Sequence, residues 1–279
     1  PVMVISLGGV AVNFGLNYAL IHGLFGLPHL GLMGIGLVTA VVANGMALLL
    51  ALHIRQHPAY APYPIRQGLM RPSLTYLQEL WRLGLPIGGT YAVEVGLFTF
   101  AAFCMGAMGS TQMAAHQIAL QSVSMAFMVP VGISYAMTMR IGQHYGAGNL
   151  LQARLAGRVG IAFGALIMLG FALLFWLAPY QVVSLFLDLD NPAYRDVIDL
   201  AVKLLAIAAW FELFDGTQTL AMGAIRGFKD ARTTFVIGLA CYWLVGAPAA
   251  WAFGFYAQGG AMGVWWGLAL GLACAALAL

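Results

Sequence analysis

Eight long apolar stretches follow one another along this chain, and they constrain its fold more than any other feature. A helix that crosses the hydrocarbon core of a bilayer needs about 20 mostly apolar residues. The stretches that reach this length lie at about 3–21, 31–54, 84–108, 114–139, 157–178, 204–225, 233–256 and 260–279. The sequence therefore predicts an all-α polytopic membrane protein with eight transmembrane helices in this chain.

The composition indicates that lipid is the solvent for much of the chain. Asp, Glu, Lys and Arg make up only 8% of the residues, whereas soluble domains carry roughly 25%. Apolar residues reach 62%, which is more than a soluble chain of 279 residues could bury. The net charge of +3 is small and gives no reason to expect a nucleic acid. We expect the lipid bilayer as the surroundings, no nucleic-acid partner, and a monomer.

Lysine and arginine predict how the helices cross the membrane, because these residues collect in cytoplasmic segments. If the first residue is cytoplasmic, the inside segments hold Arg55, Arg66, Arg71, Arg82, Arg140, Arg154, Arg158, Arg226, Lys229 and Arg232. The outside segments hold only Arg195 and Lys203. This asymmetry predicts a multi-pass protein of the inner (plasma) membrane with its basic loops in the cytoplasm, and it supports an even number of helices.

Segment 55–83 is predicted to separate two lobes. Its first part is interrupted by prolines, and its last part places apolar side chains on one helical face, as in a short helix that lies on the cytoplasmic membrane surface. The prolines are Pro58, Pro62, Pro64 and Pro72, and the apolar residues are Leu74, Leu77, Leu80 and Trp81. The predicted organisation is 1–54 as the last two helices of an N-lobe, 55–83 as a linker, and 84–279 as a six-helix C-lobe.

A short internal repeat supports two related halves. Gly31-Leu-Met-Gly34 opens the second apolar stretch, and Gly260-Ala-Met-Gly263 opens the eighth in the same way. Membrane transporters are often built from such repeats. If the second half has six helices, the first half lacks four here, so we expect a piece of a longer twelve-helix, two-lobe protein. We expect the piece alone to be inactive, because polar faces would meet lipid.

Two carboxylates near the middle of predicted spans are the main candidates for function. Glu94 lies in the third span and Asp215 in the sixth. A charge at that depth costs roughly 2.5–3.5 kcal/mol on insertion scales, so such residues usually serve a function. If both face one cavity, they can bind a proton, a metal cation or a cationic substrate; a neutral structural role is the alternative.

The residues before Asp215 extend this candidate site. Glu212 lies three residues earlier and shares its helix face, either as a further ligand or directed toward lipid headgroups. Phe211 lies one turn before Asp215 and could stack beneath a bound organic cation. Packing of Phe211 against a neighbouring helix is an equal alternative.

Polar side chains in the first two spans suggest a second cation site. Asn13 and Asn17 are four residues apart on one face of the first helix, and Thr39 lies in the middle of the next. Their oxygens suit a hard cation such as Na⁺. Hydrogen bonding between helices is the alternative.

The sequence lacks the motifs of soluble enzymes. It contains no His-Glu-x-x-His, Gly-x-Gly-x-x-Gly, P-loop or Gly-x-Ser-x-Gly pattern. His116 stands in an apolar stretch without metal-ligand spacing and is predicted to be a hydrogen-bonded core histidine. We therefore predict that the protein is not an enzyme.

Several blocks, in order, resemble the multidrug and toxic compound extrusion family, specifically its NorM-type branch. They are Arg82-Leu-Gly-Leu-Pro-Ile with Glu94-Val-Gly-Leu-Phe, Gly109-Ser-Thr-Gln-Met-Ala-Ala-His-Gln117, Arg140-Ile-Gly-Gln-His-Tyr-Gly-Ala-Gly-Asn149, Asp215-Gly-Thr-Gln, and Gly223-Ala-Ile-Arg-Gly-Phe-Lys-Asp230. The resemblance implies a fold of two six-helix lobes, with this chain covering about helices five to twelve. It also implies export of cationic, often aromatic drugs, driven by Na⁺ or H⁺ as coupling ion and without a further cofactor.

The resemblance also assigns roles to residues. Glu94 and Asp215 match the acidic cation-coupling positions of the C-lobe, which also bind substrate. Phe211 stands where relatives can carry a tyrosine, so the site lacks that hydroxyl, and Gln117 is added as a substrate-binding residue. Asn13, Asn17 and Thr39 match an N-lobe cation site whose acidic partner belongs to the family's first helix.

Other functions remain open at this stage. A flippase for lipid-linked precursors of the same superfamily usually has a basic central cavity, whereas the charges predicted here near the middle of the membrane are acidic. An intramembrane enzyme would need a catalytic constellation such as paired His and Glu on one helix face. A receptor or scaffold without transport activity would show no cation-dependent flux.

Overall fold

The structure is a computed structural model that describes residues 2–23, 31–58 and 73–279, and within these ranges all regular secondary structure is helical. The long helices are α1 (Val2–His22), α2 (Gly31–Gln56), α3 (Leu74–Met108), α4 (Ser110–Gly146), α5 (Leu150–Leu177), α7 (Arg195–Gly227), α8 (Ala231–Tyr256) and α9 (Gly260–Ala278). The short helix α6 (Pro179–Val183) and a 3₁₀ turn (Pro192–Tyr194) connect α5 to α7. The predicted all-α polytopic fold is confirmed.

The eight helices contain the eight predicted spans. Within the described ranges, seven of them are long and apolar enough to cross a membrane by length and composition. The exception is α7, a 33-residue helix that contains the sixth predicted span together with Glu212 and Asp215. These buried acids mark the helix that carries most of the candidate site.

Two compact units divide the chain, Pro1–Ser73 and Leu74–Leu279. In the first unit, α1 and α2 pack as a pair around Leu20, Val38 and Val42. The boundary between the units falls inside the segment 55–83 that the sequence predicts as a linker. Of the predicted features of that segment, Pro62, Pro64, Pro72, Arg66 and Arg71 lie outside the described residues.

The start of α3 differs from the prediction of a separate short helix on the membrane surface. Residues 74–83 are helical, but they form the first turns of one 35-residue helix that continues to Met108. Pro86 lies within this helix without ending it. The apolar pattern at 74–81 correctly indicated a helix, but it contained no signal that would separate it from the span that follows.

Helix α7 lies at the centre of the second unit, where it packs against α4, α5 and α9. Glycines allow the close approach to α4: a Cβ on Gly223 would stand 2.2 Å from Ser134 Oγ, and one on Gly227 would stand 2.7 Å from Ile141 Cβ. Hydroxyl groups then join the helices, since Thr138 Oγ1 donates to the Gly223 carbonyl at 2.7 Å. Small residues four apart are typical of helix contacts in membranes.

Helices α8 and α9 are packed even more closely. Gly263, Gly267 and Gly271 form a stripe along α9, and a Cβ on Gly267 would stand 2.2 Å from the backbone nitrogen of Ala250 in α8. The α-helical hydrogen-bond pattern of α8 is interrupted by π-helical turns at Cys241–Gly246 and Ala252–Tyr256. The backbones of the two helices are therefore in direct contact.

The two copies of the internal repeat also share a backbone conformation. Gly31 and Gly260, which open α2 and α9, have φ angles of +52° and +56°. This left-handed conformation is strained for most other residues. The two repeated segments thus share both their glycine and its conformation.

The N-terminus of α8 offers a stability prediction. Asp230 caps it by accepting hydrogen bonds from the Thr233 hydroxyl at 2.7 Å and from the Thr233 amide at 3.0 Å. We expect Asp230→Ala to lower the free energy of unfolding by about 1 kcal/mol, whereas Asp230→Asn retains the cap. Thermal unfolding of the full-length protein in detergent measures both, and equal midpoints for Ala and Asn would contradict the assignment.

The same cap has a defined pH dependence. The hydrogen bond from the Thr233 hydroxyl is the main reason that the pKa of Asp230 is lowered below its usual value. The charged form is thus favoured in the folded state, so its stabilisation is complete above the ordinary aspartate pKa and is lost as the pH falls through the lowered value. The difference between wild type and Asp230→Asn should shrink at acidic pH.

Candidate functional site

A cavity of about 330 Å³ lies within the second unit, and two acids contribute to its wall. Its lining residues are Glu94, Val95, Phe98, Thr99, Ala102, Met113, Gln117, Leu120, Val123, Ser124, Phe127 and Asp215. Seven of these are apolar or aromatic and five are polar. The sequence-predicted residues Glu94, Gln117 and Asp215 are therefore brought together at one cavity.

Helical periodicity explains how the cavity is lined. On α3, Glu94, Phe98 and Ala102 follow at intervals of four residues, so they lie along one face. On α4, Met113 and Gln117 begin a similar stripe that continues to Phe127. Helix α7 contributes a single lining residue, Asp215. Two helices thus form the walls, and α7 adds one charge.

The two cavity acids differ in their exposure. The Asp215 residue is 2% exposed, and its Oδ1 atom has no hydrogen-bond partner among the described residues. Glu94 is half-buried. Asp215 lines the same cavity as Glu94 and lies three residues after Glu212 on α7, so the ionised forms of these acids would repel one another. A site with repelling carboxyl groups and few donors is suited to binding protons or a cation.

Glu212 is buried like Asp215 but stands apart from the cavity. It is 0% exposed, both of its carboxylate oxygens lack a hydrogen-bond partner within the described ranges, and it does not line the cavity. The alternative that Glu212 points toward lipid headgroups is therefore wrong. It is a buried acid one turn from Asp215.

Phe211 is fully buried and does not line the cavity. Its ring packs edge-on against Phe98 at 5.9 Å and against Trp265 at 5.5 Å, measured between ring centroids. Of the two interpretations of Phe211, the structure thus shows packing against neighbouring helices. The aromatic side chains at the cavity wall are Phe98, which lies between Glu94 and Ala102 on the α3 stripe, and Phe127 on α4.

A polar cluster next to the acids centres on Arg226. Its Nη1 donates to Tyr91 Oη at 3.2 Å and its Nη2 donates to Ser134 Oγ at 3.3 Å, so one guanidinium connects α7 with α3 and α4. Tyr91 lies three residues before Glu94 on α3, so the guanidinium is bound about one helical turn from that acid along the helix. In the sequence, Arg226 stands out only as a marker of membrane topology.

Tyr242 and Gln218 form another buried pair near the acids. The Gln218 side-chain amide donates to the Tyr242 hydroxyl, and both residues are almost completely buried. This joins α7 to the first π-helical turn of α8. Gln218 is part of the Asp215-Gly-Thr-Gln block, but nothing in the sequence indicated its partner.

The predicted N-lobe residues belong to the first unit. The Asn17 amide donates to Asn13 Oδ1 at 2.9 Å, and the Thr39 hydroxyl donates to the Ile35 carbonyl of its own helix at 2.8 Å. The asparagines are half-buried and Thr39 is exposed. The structure thus pairs Asn13 with Asn17 and shows no hydrogen bond from either to Thr39 in the described part of this unit.

The candidate cation ligands in the first unit are all neutral. Residues 1–54 contain no Asp or Glu, so the asparagine and threonine oxygens would share an Na⁺ without a carboxylate from these residues. Asn17 Oδ1 is buried and has no hydrogen-bond partner among the described residues, which leaves one oxygen available to a cation. These oxygens fit part of a hard-cation site and require a charged ligand from elsewhere.

His116 is a buried core histidine, as the sequence predicts. Its Nδ1 accepts a hydrogen bond from Trp265 Nε1 at 3.2 Å, and the residue is 0% exposed. The interaction links α4 to α9 at the residue before Gln117, which lines the cavity.

The chain is similar to known proteins along its whole length. The MatE family model matches residues 86–252. "Probable multidrug resistance protein NorM" of Pseudomonas syringae pv. tomato is 75% identical over 279 residues, and its counterpart in Pseudomonas putida is 70% identical over the same length. "Multidrug resistance protein NorM" of Burkholderia vietnamiensis is 42% identical over 275 residues. These relatives are named as multidrug resistance proteins, not as enzymes.

The matches cover almost all of this chain but only part of each relative. The alignments span 100%, 100% and 98% of this chain and 61%, 60% and 58% of the three relatives. The chain thus spans about three fifths of the length of the curated relatives it matches. The crystal structure of the eukaryotic MATE transporter AtDTX14 matches with a TM-score of 0.86 at 20% identity, over 99% of this chain and 59% of that one. At this identity the likeness shows a shared fold.

Proposed function

The chain belongs to the MatE family, the multidrug and toxic compound extrusion family, and from this premise we propose that the longer protein exports cationic, often aromatic drugs. The exchange ion is Na⁺ or H⁺, and the protein works as a monomer in the inner membrane. The names of its NorM relatives as multidrug resistance proteins support this substrate class.

The observation that carries the proposal is the presence of Glu94 and Asp215 at one largely apolar cavity. Binding pockets for small organic molecules are about 300–1,000 Å³, mostly apolar, and contain a few placed polar groups. A lipophilic cation would place its charge near the two carboxylates and its ring system against Phe98 or Phe127. Gln117 is available as a hydrogen-bonding group at the same wall.

The mechanism is a competition for the two carboxylates. A drug cation binds Glu94 and Asp215 while the cavity is open to the cytoplasm. H⁺ or Na⁺ from outside then occupies the same carboxylates once the cavity opens outward, and the drug leaves. A ligand shifts two conformations only by its differential affinity for them, so this competition is the source of coupling.

The orientation follows from the basic residues. Arg226, Lys229 and Arg232 surround the C-terminal end of α7, whereas Arg195 and Lys203 share its other end with acidic residues. By the positive-inside rule, α7 begins outside and ends in the cytoplasm. Its candidate acid Asp215 lies between these ends.

The coupling ion depends on which unit binds it. The Asn13 and Asn17 pair, with Thr39, supplies neutral oxygens that suit Na⁺ if a carboxylate from the rest of the longer protein joins them. The C-lobe acids accept protons without further ligands, and Phe211 offers no hydroxyl there. Coupling to H⁺ thus requires only the C-lobe acids, whereas coupling to Na⁺ also uses the asparagine and threonine oxygens of the first unit.

Ethidium efflux tests the proposal. The full-length protein is reconstituted in liposomes loaded with ethidium, and inward Na⁺ and H⁺ gradients are imposed separately. We expect efflux above the rate of empty liposomes with at least one gradient, and dependence on Na⁺ should disappear in Asn17→Ala. Absence of efflux under both gradients would contradict drug export, and lipid-linked substrates would be tested next.

A further inference from the structure

Glu212 is a buried acid that the exchange at Glu94 and Asp215 does not use. It is 0% exposed, and neither carboxylate oxygen has a hydrogen-bond partner in the described part of the chain. An ionised carboxylate without a partner is strongly disfavoured in such surroundings, so Glu212 is uncharged in this conformation. An apolar side chain of the same size would fill the space without the polar oxygens, so packing alone does not explain an acid here.

Glu212 and Asp215 are neighbouring acids on α7 that differ in their access to the cavity. Both residues lie on α7, and residues three apart on a helix have their Cβ atoms about 5–6 Å apart, so the two acids share one face of the helix. Asp215 lines the cavity, whereas Glu212 does not. A drug or a metal cation in the cavity reaches Asp215 but not Glu212. A proton is small enough to pass between the two carboxyl groups.

Three other ionisable groups lie near the pair on helices around α7. They are Glu94 on α3, which lines the cavity together with Asp215, His116 on α4 and Tyr242 on α8. Helix α9 contributes no Asp, Glu, Lys, Arg or His. His116 is held by Trp265, and Tyr242 is held by Gln218. The remaining acid next to Glu212 is therefore Asp215, which lies one helical turn away on the same helix.

The direction of α7 determines which of the two acids lies nearer the outside of the membrane. In the proposed orientation, α7 begins outside at Arg195. With a rise of 1.5 Å per residue, Glu212 lies roughly 4.5 Å nearer the outside than Asp215. A proton that arrives from the outside through Glu212 reaches Asp215 from behind the wall, even while a drug covers the cavity side of that carboxyl group.

We propose that Glu212 is a proton relay that protonates Asp215 from behind the bound drug. The O–H bond of the Glu212 carboxylic acid breaks as an O–H bond forms on the Asp215 carboxylate. The resulting Glu212 carboxylate then takes a proton from water on the outer side, and no electrons change hands. Neutralised Asp215 no longer holds the drug cation, which leaves. The relay rests on the proposed function and assigns the C-lobe to proton coupling.

Stopped-flow drug release tests the relay. The full-length protein in detergent is equilibrated with ethidium, the pH is dropped rapidly, and the release rate is followed by fluorescence. Glu212→Gln has nearly the same shape and no transferable proton, so we expect unchanged ethidium affinity at the starting pH and release slowed at least ~10-fold, as for loss of a positioned proton donor. Glu212→Asp should recover part of the rate. Glu79→Gln, on an exposed acid of α3, is the matched control with the wild-type rate.

The outcomes separate the relay from the function on which it rests. If wild type binds and releases ethidium and Glu212→Gln releases it equally fast, the relay is wrong while drug export stands. A slow Glu212→Gln rate that Glu212→Asp does not improve also overturns the relay, because proton transfer would not be the property lost. If wild type binds no ethidium, the proposed function itself fails, and the relay fails with it.

Discussion

Export should be lost in the full-length protein when either cavity acid is neutralised, by Glu94→Gln or by Asp215→Asn. Each substitution keeps the size of the side chain and removes the charge that a drug cation and the coupling ion share. A hydrogen bond or contact with a charged group contributes about 1.5–3 kcal/mol, so each loss should weaken ethidium binding roughly 10- to 100-fold. Binding is measured by fluorescence titration in detergent, and export is measured in the liposomes described above.

The control for this prediction is Glu79→Gln. Glu79 is an acid of the same helix as Glu94, but its side chain is 55% exposed and pairs with Lys229 at 3.6 Å. It should bind and export ethidium like wild type. Normal drug resistance in cells that produce Glu94→Gln and Asp215→Asn at wild-type levels would remove these residues from the exchange site.

The second large effect is expected from Gly267→Leu. A Cβ at this position would lie 2.2 Å from the Ala250 nitrogen and 2.3 Å from its Cα, and these backbone atoms cannot rotate away as a side chain can. Overpacking of a core usually costs about 1–3 kcal/mol, occasionally more. Because a whole helix must shift here, we expect at least the upper end of that range. The measurement is the thermal midpoint of the full-length protein in detergent, followed by tryptophan fluorescence and size exclusion.

Gly170→Leu provides the comparison for this substitution. Gly170 lies on α5, and a Cβ there would meet no atom within 4 Å. The same side chain should therefore leave the midpoint close to that of wild type. Equal midpoints for the two variants would show that α8 and α9 are not held together by direct backbone contact.

The sequence predicted the helices well because apolar length is a local property. Each of the eight stretches lies in a helix, but the helices extend farther than the spans. Helix α4, for example, covers Ser110–Gly146 where the apolar stretch suggested 114–139. The polar residues at its ends are also helical, but hydropathy alone does not predict the conformation of polar residues. The same limitation explains why α3 was not predicted to begin at Leu74.

The candidate site was predictable in its charges but not in its surroundings. Glu94 and Asp215 stood out because a carboxylate inside a transmembrane span is energetically unfavourable. Whether Phe211 or Phe98 meets the cavity depends on Trp265, which lies on α9 and covers the ring of Phe211. Because this contact joins residues far apart in the sequence, no local pattern predicts it. The four-residue spacing from Glu94 to Phe98 could have indicated Phe98 as one of the lining aromatic residues.

The matching glycines at the starts of α2 and α9 have a consequence for the ancestry of the protein. A left-handed glycine at Gly31 and again at Gly260 is what a half-length gene, doubled and fused, would leave in both copies. The two copies of this helix pair share more than the glycine, because neither residues 1–54 nor residues 231–279 contain an Asp or a Glu. The repeated pair has thus kept its apolar character in both places, whereas Glu94, Glu212 and Asp215 lie on helices that precede the second copy of the pair.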